Sequence, residues 1–108
     1  MLELVDRLRK QGYRTGLLTN RSLVGAVKLR QLGSYKYFDT VIISSEVGFS
    51  KPEPQSFKIL AENLGIKLDE LVFIDDSPEV TLAAESLGIK TILFKNYHQL
   101  VRELSAYD

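Results

Sequence analysis

The sequence has no cysteine and a single histidine, His98, among its 108 residues. Disulfides and thiolate metal sites are therefore excluded, one imidazole cannot form a histidine cluster, and any metal must be held mainly by oxygen. An excess of charge is missing too, since 14 Lys and Arg face 14 Asp and Glu. The basic residues gather into no stripe of the kind a phosphate backbone needs, so no nucleic-acid partner is expected. No apolar run approaches the roughly 20 residues that cross a bilayer, and no membrane association is expected. The opening MLELVDRLRKQG mixes apolar and charged positions where a secretory signal would be uninterruptedly apolar, which makes a cytoplasmic location the expectation. Linkers, repeats and low-complexity segments are absent as well. A single domain over residues 1–108 is expected, long enough to bury roughly two thirds of the surface of its unfolded chain.

What is present is ordinary for a globular domain, with 44% apolar and 26% charged residues. Leu2, Val5 and Leu8 repeat at helical spacing ahead of Gly12, which predicts a helix from Leu2 to Gln11. Tyr13 to Thr19 reads as a strand. Asn20 or Ser22 then caps a helix from Leu23 to Leu32, ended by Gly33. Thr40 to Ser44 is a short, mostly apolar run typical of a strand buried on both faces, and SSEVGFSKPEP behind it has loop composition. Pro54 suits the first turn of a helix from Gln55 to Leu64, with Phe57, Leu60, Ala61 and Leu64 on one face and Gly65 as its stop. Strands at Leu71 to Ile74 and Lys90 to Phe94 flank a helix from Glu79 to Leu87, and an amphipathic helix from Tyr97 to Leu104 closes the chain. Helix and strand alternate throughout, so the expected fold is α/β: a three-layer, Rossmann-like arrangement around a parallel sheet of about four strands.

In an open parallel sheet, ligands bind beyond the carboxyl ends of the strands, where loops and helix N-termini converge. Three polar groups fall at such ends: Thr19 with Asn20, Lys51, and Asp75 with Asp76. Adjacent carboxylates are costly to bring together unless a cation or a proton relieves their repulsion, and oxygen-only ligation suits Mg²⁺. On spacing alone the pair reads equally well as metal ligands or as a cap for the helix entered through Ser77 and Pro78. A threonine hydroxyl at a helix N-terminus can donate to a phosphoryl oxygen, although turn and cap duty explains most Thr-Asn dipeptides.

The stretches GYRTGLLTN, YFDTVIISSEVGFSKPEPQSF and LVFIDDSPEVTLAAESLGIKTILF closely resemble the second, third and fourth signature motifs of the haloacid-dehalogenase-like (HAD-like) hydrolases, in the family's order. The resemblance covers essentially the whole chain. It implies a phosphatase-type, Mg²⁺-dependent phosphoryl transfer on a small phosphorylated molecule. Thr19 would bind the transferring group, Asn20 would assist, Lys51 would neutralise charge on nucleophile and substrate, and Asp75 and Asp76 would hold Mg²⁺. The Lys51–Pro52 bond resembles a family turn that is frequently cis.

Two departures qualify the resemblance. The family begins with a strand ending in Asp-x-Asp, whose first carboxylate is the nucleophile, and this sequence contains no Asp-x-Asp. Asp6, Asp39, Asp69 and Asp108 lie elsewhere and cannot stand in for it. Val80 also occupies a position where relatives often carry an asparagine, removing one hydrogen-bonding group near the acidic pair. The chain therefore reads as the C-terminal part of a HAD-like core lacking its first strand and cap, not competent alone, or as a non-catalytic metal- or phosphate-binding or protein-interaction relative. In the family that first strand lies between the strands ending in Thr19 and Asp75. Either those two strands pair directly, giving the local order 2-1-3-4, or the gap stays open for a homodimer partner or a second chain to fill. Direct pairing into one continuous sheet is the expectation.

Overall fold

Six α-helices and four β-strands alternate in the computed structural model, which describes residues 2–107 except residue 32. Helix α1 (Leu2–Lys10) turns Leu4 and Leu8 inward, with Glu3 in its first turn and Arg9 and Lys10 in its last, where each charge complements the helix dipole. Strand β1 (Gly16–Thr19) leads into α2 (Leu23–Gln31) and then β2 (Thr40–Ile43). The predicted end of α2 at Leu32 lies outside the described residues. Ser22 caps α2, its Oγ accepting from the Gly25 N–H at 3.1 Å, which decides between the two candidate caps.

Beyond β2 the segment expected to be loop throughout forms one helical turn, α3 (Ser44–Val47), closed by Gly48 at φ 86°. Helix α4 (Pro54–Leu64) starts on its proline and stops at Gly65, whose φ of 71° is open to glycine at no steric cost. Strand β3 (Val72–Asp75), α5 (Pro78–Glu85) and β4 (Lys90–Leu93) form a second βαβ unit, and α6 (Tyr97–Leu104) follows. Asn96 and Gln99 begin α6 with a reciprocal capping box.

Within each unit the strands run parallel, Thr19 opposite Ile43 in the first and Asp75 opposite Leu93 in the second. Alternation sorts their side chains into two layers. Leu18, Ile42 and Phe73 point to α4 and α5, joining Phe57, Leu60, Leu64, Val80 and Ala84 in one buried cluster. On the other face Leu17, Val41 and Ile43 meet Ala26 and Leu29 of α2, while Val72 and Ile92 meet Leu4 of α1 and Leu100 of α6. The expected three layers are present.

The continuous sheet is not. β1 pairs with β2 and β3 with β4, and no ladder joins β1 to β3, so the strands form two separate two-stranded sheets. Between them lies a cavity of about 900 Å³ lined by every residue of β1 and β3, together with residues of α1, α4 and α6. Helix α4 explains why the gap stays open. One apolar face of it packs against both sheets at once, with Phe57 fully buried edge-on to Phe73 at a centroid distance of 5.1 Å. Drawing β3 sideways to β1 by the ~4.8 Å of one strand spacing would drive these side chains into overlap.

Outside this core a polar clasp ties the approach to β1 to the approach to β2. Asp39 accepts from the Thr15 N–H at 2.6 Å and from Arg9 Nη2 at 3.0 Å, and returns its own N–H to the Thr15 carbonyl at 2.7 Å. The Thr15 N–H is the main reason the Asp39 carboxyl lies below its usual pKa, with Arg9 adding to it against a partial opposing effect of burial. Among the described residues no helix is long and apolar enough to cross a membrane.

Two outcomes follow. A Cβ built on Gly16 would sit 2.8 Å from Leu60 Cδ1 and 3.2 Å from Leu64 Cδ1, both on buried side chains. Gly16→Ala is therefore expected to lower stability by about 1 kcal/mol in urea unfolding, overpacking outweighing the ~0.4–1 kcal/mol that Gly-to-Ala gains in the unfolded chain. A depressed folded pKa stabilises above the unfolded value near ~3.9 and ceases to do so as pH falls through the folded one. Asp39→Asn should thus be less stable than the parent at neutral pH, and the two urea midpoints should converge below about pH 4.

Candidate functional site

The carboxyl ends of β1 and β3 open at the same end of the cavity, and four side chains singled out from the sequence line it together: Thr19, Lys51, Asp75 and Asp76. Thr19 is the last residue of β1 and half-buried. Its Oγ1 accepts a hydrogen bond from Arg21 Nε at 3.2 Å. With that lone pair occupied, the hydroxyl proton is free to be donated elsewhere.

Asn20 does not line the cavity. Its side-chain amide is engaged with the backbone of Lys51, Oδ1 accepting from the Lys51 N–H at 3.0 Å and Nδ2 donating to the Lys51 carbonyl at 3.2 Å. This pairing makes Asn20 a positioning residue that fastens the Lys51 loop to the end of β1. The loop is held from its other side as well, because Glu53 Oε1 accepts from the Ser50 N–H at 2.9 Å and the Ser50 hydroxyl at 3.2 Å. The Lys51–Pro52 peptide bond is cis.

So anchored, Lys51 reaches across the gap. Its Nζ donates to Asp75 Oδ2 at 2.8 Å, the two side chains being only 17% and 10% exposed. The Ser77 N–H donates to the other oxygen, Asp75 Oδ1, at 3.0 Å. Burial pushes the Asp75 carboxyl upward. The bond from Lys51, the Ser77 N–H and the charge on Lys51 together outweigh it and leave the carboxyl below its ordinary pKa. Asp75 is consequently a fixed anion at neutral pH, and Lys51 a cation whose direction is set by it.

Asp76 follows on the exposed side of the same turn. The helix-cap alternative for the acidic pair is settled by Ser77, whose Oγ accepts from the Val80 N–H at 3.4 Å as the cap of α5. Neither carboxylate performs that duty. Val80 itself is buried in the core cluster beside Leu71 and Phe73, so its side chain supports the turn by packing.

Hard oxygen donors at the mouth of a cavity suit Mg²⁺, which takes one or two protein carboxylates and completes its shell with water and phosphate oxygens. Among the described residues no group of three or more His, Cys, Asp or Glu could hold a metal unaided. The other described aspartates are elsewhere: Asp6 pairs with Lys10 on α1 at 3.0 Å, Asp39 belongs to the clasp and Asp69 sits in the turn before β3, while Glu70 of that turn lines the cavity with its Oε1 accepting from the Lys67 N–H at 3.0 Å. Asp108 lies outside the described residues.

Two residues that the sequence does not single out, Arg21 and Ser44, act beside Thr19 in the structure. Arg21 donates to its hydroxyl, and Ser44, at the end of β2, holds the Arg21 backbone on both sides, accepting from its N–H at 3.0 Å and donating to its carbonyl at 3.3 Å. Only the position of Arg21 directly behind Thr-Asn could have drawn attention to it.

Comparison with known proteins identifies the family. Residues 1–88 match the model of the haloacid dehalogenase-like hydrolases. Bifunctional epoxide hydrolase 2 of Mus musculus is 36% identical over 109 residues, covering 96% of this chain and 20% of that protein. Phosphatase MT3486 of Mycobacterium tuberculosis is 32% identical over 108 residues, covering 94% of this chain and 50% of its own length. The chain thus spans between a fifth and a half of these curated relatives. Among solved structures, a mutant HAD family enzyme of Bacteroides thetaiotaomicron in complex with magnesium and inorganic phosphate superposes with a TM-score of 0.80 at 31% identity, over 94% of this chain and 55% of its own. With the family model matching most of its length and relatives above 30% identity matching nearly all of it, this chain belongs to the haloacid dehalogenase-like hydrolases.

Proposed function

We propose that Thr19, Lys51, Asp75 and Asp76 are the phosphate- and Mg²⁺-binding half of a phosphatase-type site, completed by a carboxylate carried on a strand seated between β1 and β3. The observation that carries this reading is the convergence of the four side chains on one cavity flanked by two strand edges without ladder partners. Unpaired edges are costly to leave in an apolar slot, and a single extended segment would satisfy both. That segment lies beyond these 108 residues, in the same polypeptide or in a second chain. The magnesium and phosphate complex of the Bacteroides enzyme and the phosphatase among the relatives support the choice of ligand.

Each residue has a defined task. Thr19 donates its hydroxyl to a non-bridging phosphoryl oxygen, and Lys51 sets an ammonium against the negative charge that phosphoryl transfer spreads over those oxygens. Asp75 and Asp76 hold Mg²⁺, which supplies further positive charge to the phosphoryl group. Asn20 keeps Lys51 at its post. The incoming carboxylate would attack phosphorus as the ester oxygen departs, and water would then cleave the acyl phosphate. The one further carboxylate that lines the cavity among the described residues, Glu70, is held by the Lys67 N–H in the turn before β3, so on their own the 108 residues bind.

A second reading keeps the same ligands without turnover. That no group of three acids among the described residues could hold a metal unaided favours it, and it makes the protein a Mg²⁺- and phosphate-binding member of the family.

For the isolated chain, phosphate release from an aryl phosphate is expected to stay at background with or without Mg²⁺. Binding of inorganic phosphate, followed by ³¹P NMR, should require Mg²⁺ and disappear in Asp76→Ala. Phosphate binding that ignores both the metal and the substitution would overturn the proposed site. Turnover abolished by Asp76→Ala would show that the chain needs no added strand.

A further inference from the structure

We infer that Arg21 determines specificity at this site by receiving a second anionic group of the phosphorylated ligand, an inference that rests on the phosphate-binding role proposed for Thr19 and its neighbours. Arg21 is exposed, but two constraints place it at the rim of the cavity. Its backbone is held on both sides by the Ser44 hydroxyl, and its Nε is bonded to Thr19 Oγ1 at 3.2 Å. The guanidinium is planar, so committing Nε fixes the plane in which the two terminal nitrogens lie, and those nitrogens carry four of the five N–H donors.

No carboxylate is paired with Arg21 among the described residues. Arg9 is engaged with Asp39 at 3.0 Å, Arg30 with Glu46 at 2.5 and 2.7 Å, and Arg14 with the Leu64 carbonyl at 2.5 Å; Arg7 and Arg102 also lack an acid among the described residues, but neither is bonded to a residue singled out for phosphate. At the mouth itself Lys51 directs its charge to Asp75 at 2.8 Å. Arg21 therefore presents a pre-oriented fork with no acid of its own, one hydrogen bond away from the hydroxyl that addresses the phosphoryl group. Such a fork matches the two oxygens of a carboxylate or of a second phosphate.

Arg21 does not line the cavity. The group it meets consequently belongs to the part of the ligand that projects outward from the reacting phosphoryl, which is the part that differs between substrates. A phosphate ester bearing a nearby carboxylate or second phosphate fits this arrangement, and an ester with a neutral alkyl group leaves the fork unused.

Phosphonoacetate and ethylphosphonate, two non-hydrolysable probes of similar size, separate these cases by isothermal titration of the purified chain in Mg²⁺. The parent should bind phosphonoacetate about tenfold more tightly than ethylphosphonate, in keeping with a charge-assisted, two-point contact. Arg21→Gln should abolish that preference while leaving ethylphosphonate affinity within about twofold of the parent, and Arg21→Lys should recover only part of it. Thermal unfolding of the variants should match the parent, since the backbone bonds to Ser44 remain. An unchanged preference in Arg21→Gln, or no preference in the parent while ethylphosphonate still binds, would overturn the inference alone. Binding of neither probe would overturn it together with the phosphate-binding site on which it rests.

Discussion

The apolar face shared by α4 and α5 holds the molecule together, α4 packing on the first pair of strands and α5 on the second, with Phe57 of α4 reaching Phe73 of β3. Phe57 and Leu60 are buried in one cluster with Leu18 and Ile42 from the first sheet and Phe73 from the second. A domain divided into two sheets without a shared ladder has only its side-chain packing to keep those sheets in register, and close-packed interiors resist small lateral shifts. The separation of β1 from β3 is therefore a property of α4 and α5, imposed whether or not anything occupies the space between the strands.

The polar end of the molecule depends on that spacing. Lys51 belongs to the loop that follows the first unit and Asp75 to the end of the second, yet their side chains meet at 2.8 Å and are largely withdrawn from solvent. A partly buried ion pair of this kind is weak evidence for stability, since the cost of desolvation offsets much of the attraction. Its consequence is directional. Asn20 clamps the Lys51 backbone to β1, the Ser77 N–H orients Asp75, and the ammonium and carboxylate then point into the same cavity. Electrostatic stabilisation of any anionic group requires donors already in place before charge develops, and this chain of local hydrogen bonds fixes the Lys51 ammonium in advance.

Much of this was legible in the amino-acid order. Gly65 beyond an apolar helical face, Pro54 at the start of that helix and the short apolar runs at Thr40 to Ile43 and Lys90 to Leu93 are local signals, and each element formed where its signal stood, to within a few residues. The group of Thr19, Lys51, Asp75 and Asp76 was also visible, because parallel βαβ units bring strand carboxyl ends to one side of the sheet. Less legible were the one-turn helix at Ser44–Val47, which carries no periodic pattern in four residues, and the task of Asn20. Whether a side-chain amide faces a ligand or a neighbouring backbone depends on a loop that lies 31 residues away.

By itself, the sequence determined the alternation of helices and strands, the parallel βαβ units, the family and the polar residues that meet at the strand ends, since all of these follow from local propensity, periodicity and motif. Tertiary structure alone decided that the four strands divide into two sheets around an open slot, that Asn20 serves Lys51, and that Arg21 stands beside Thr19 without an acidic partner among the described residues. The physical reason is the range of the forces concerned. Helix and strand signals act over a few residues, whereas the width of a gap is set by buried side chains contributed from five separate elements packing at once.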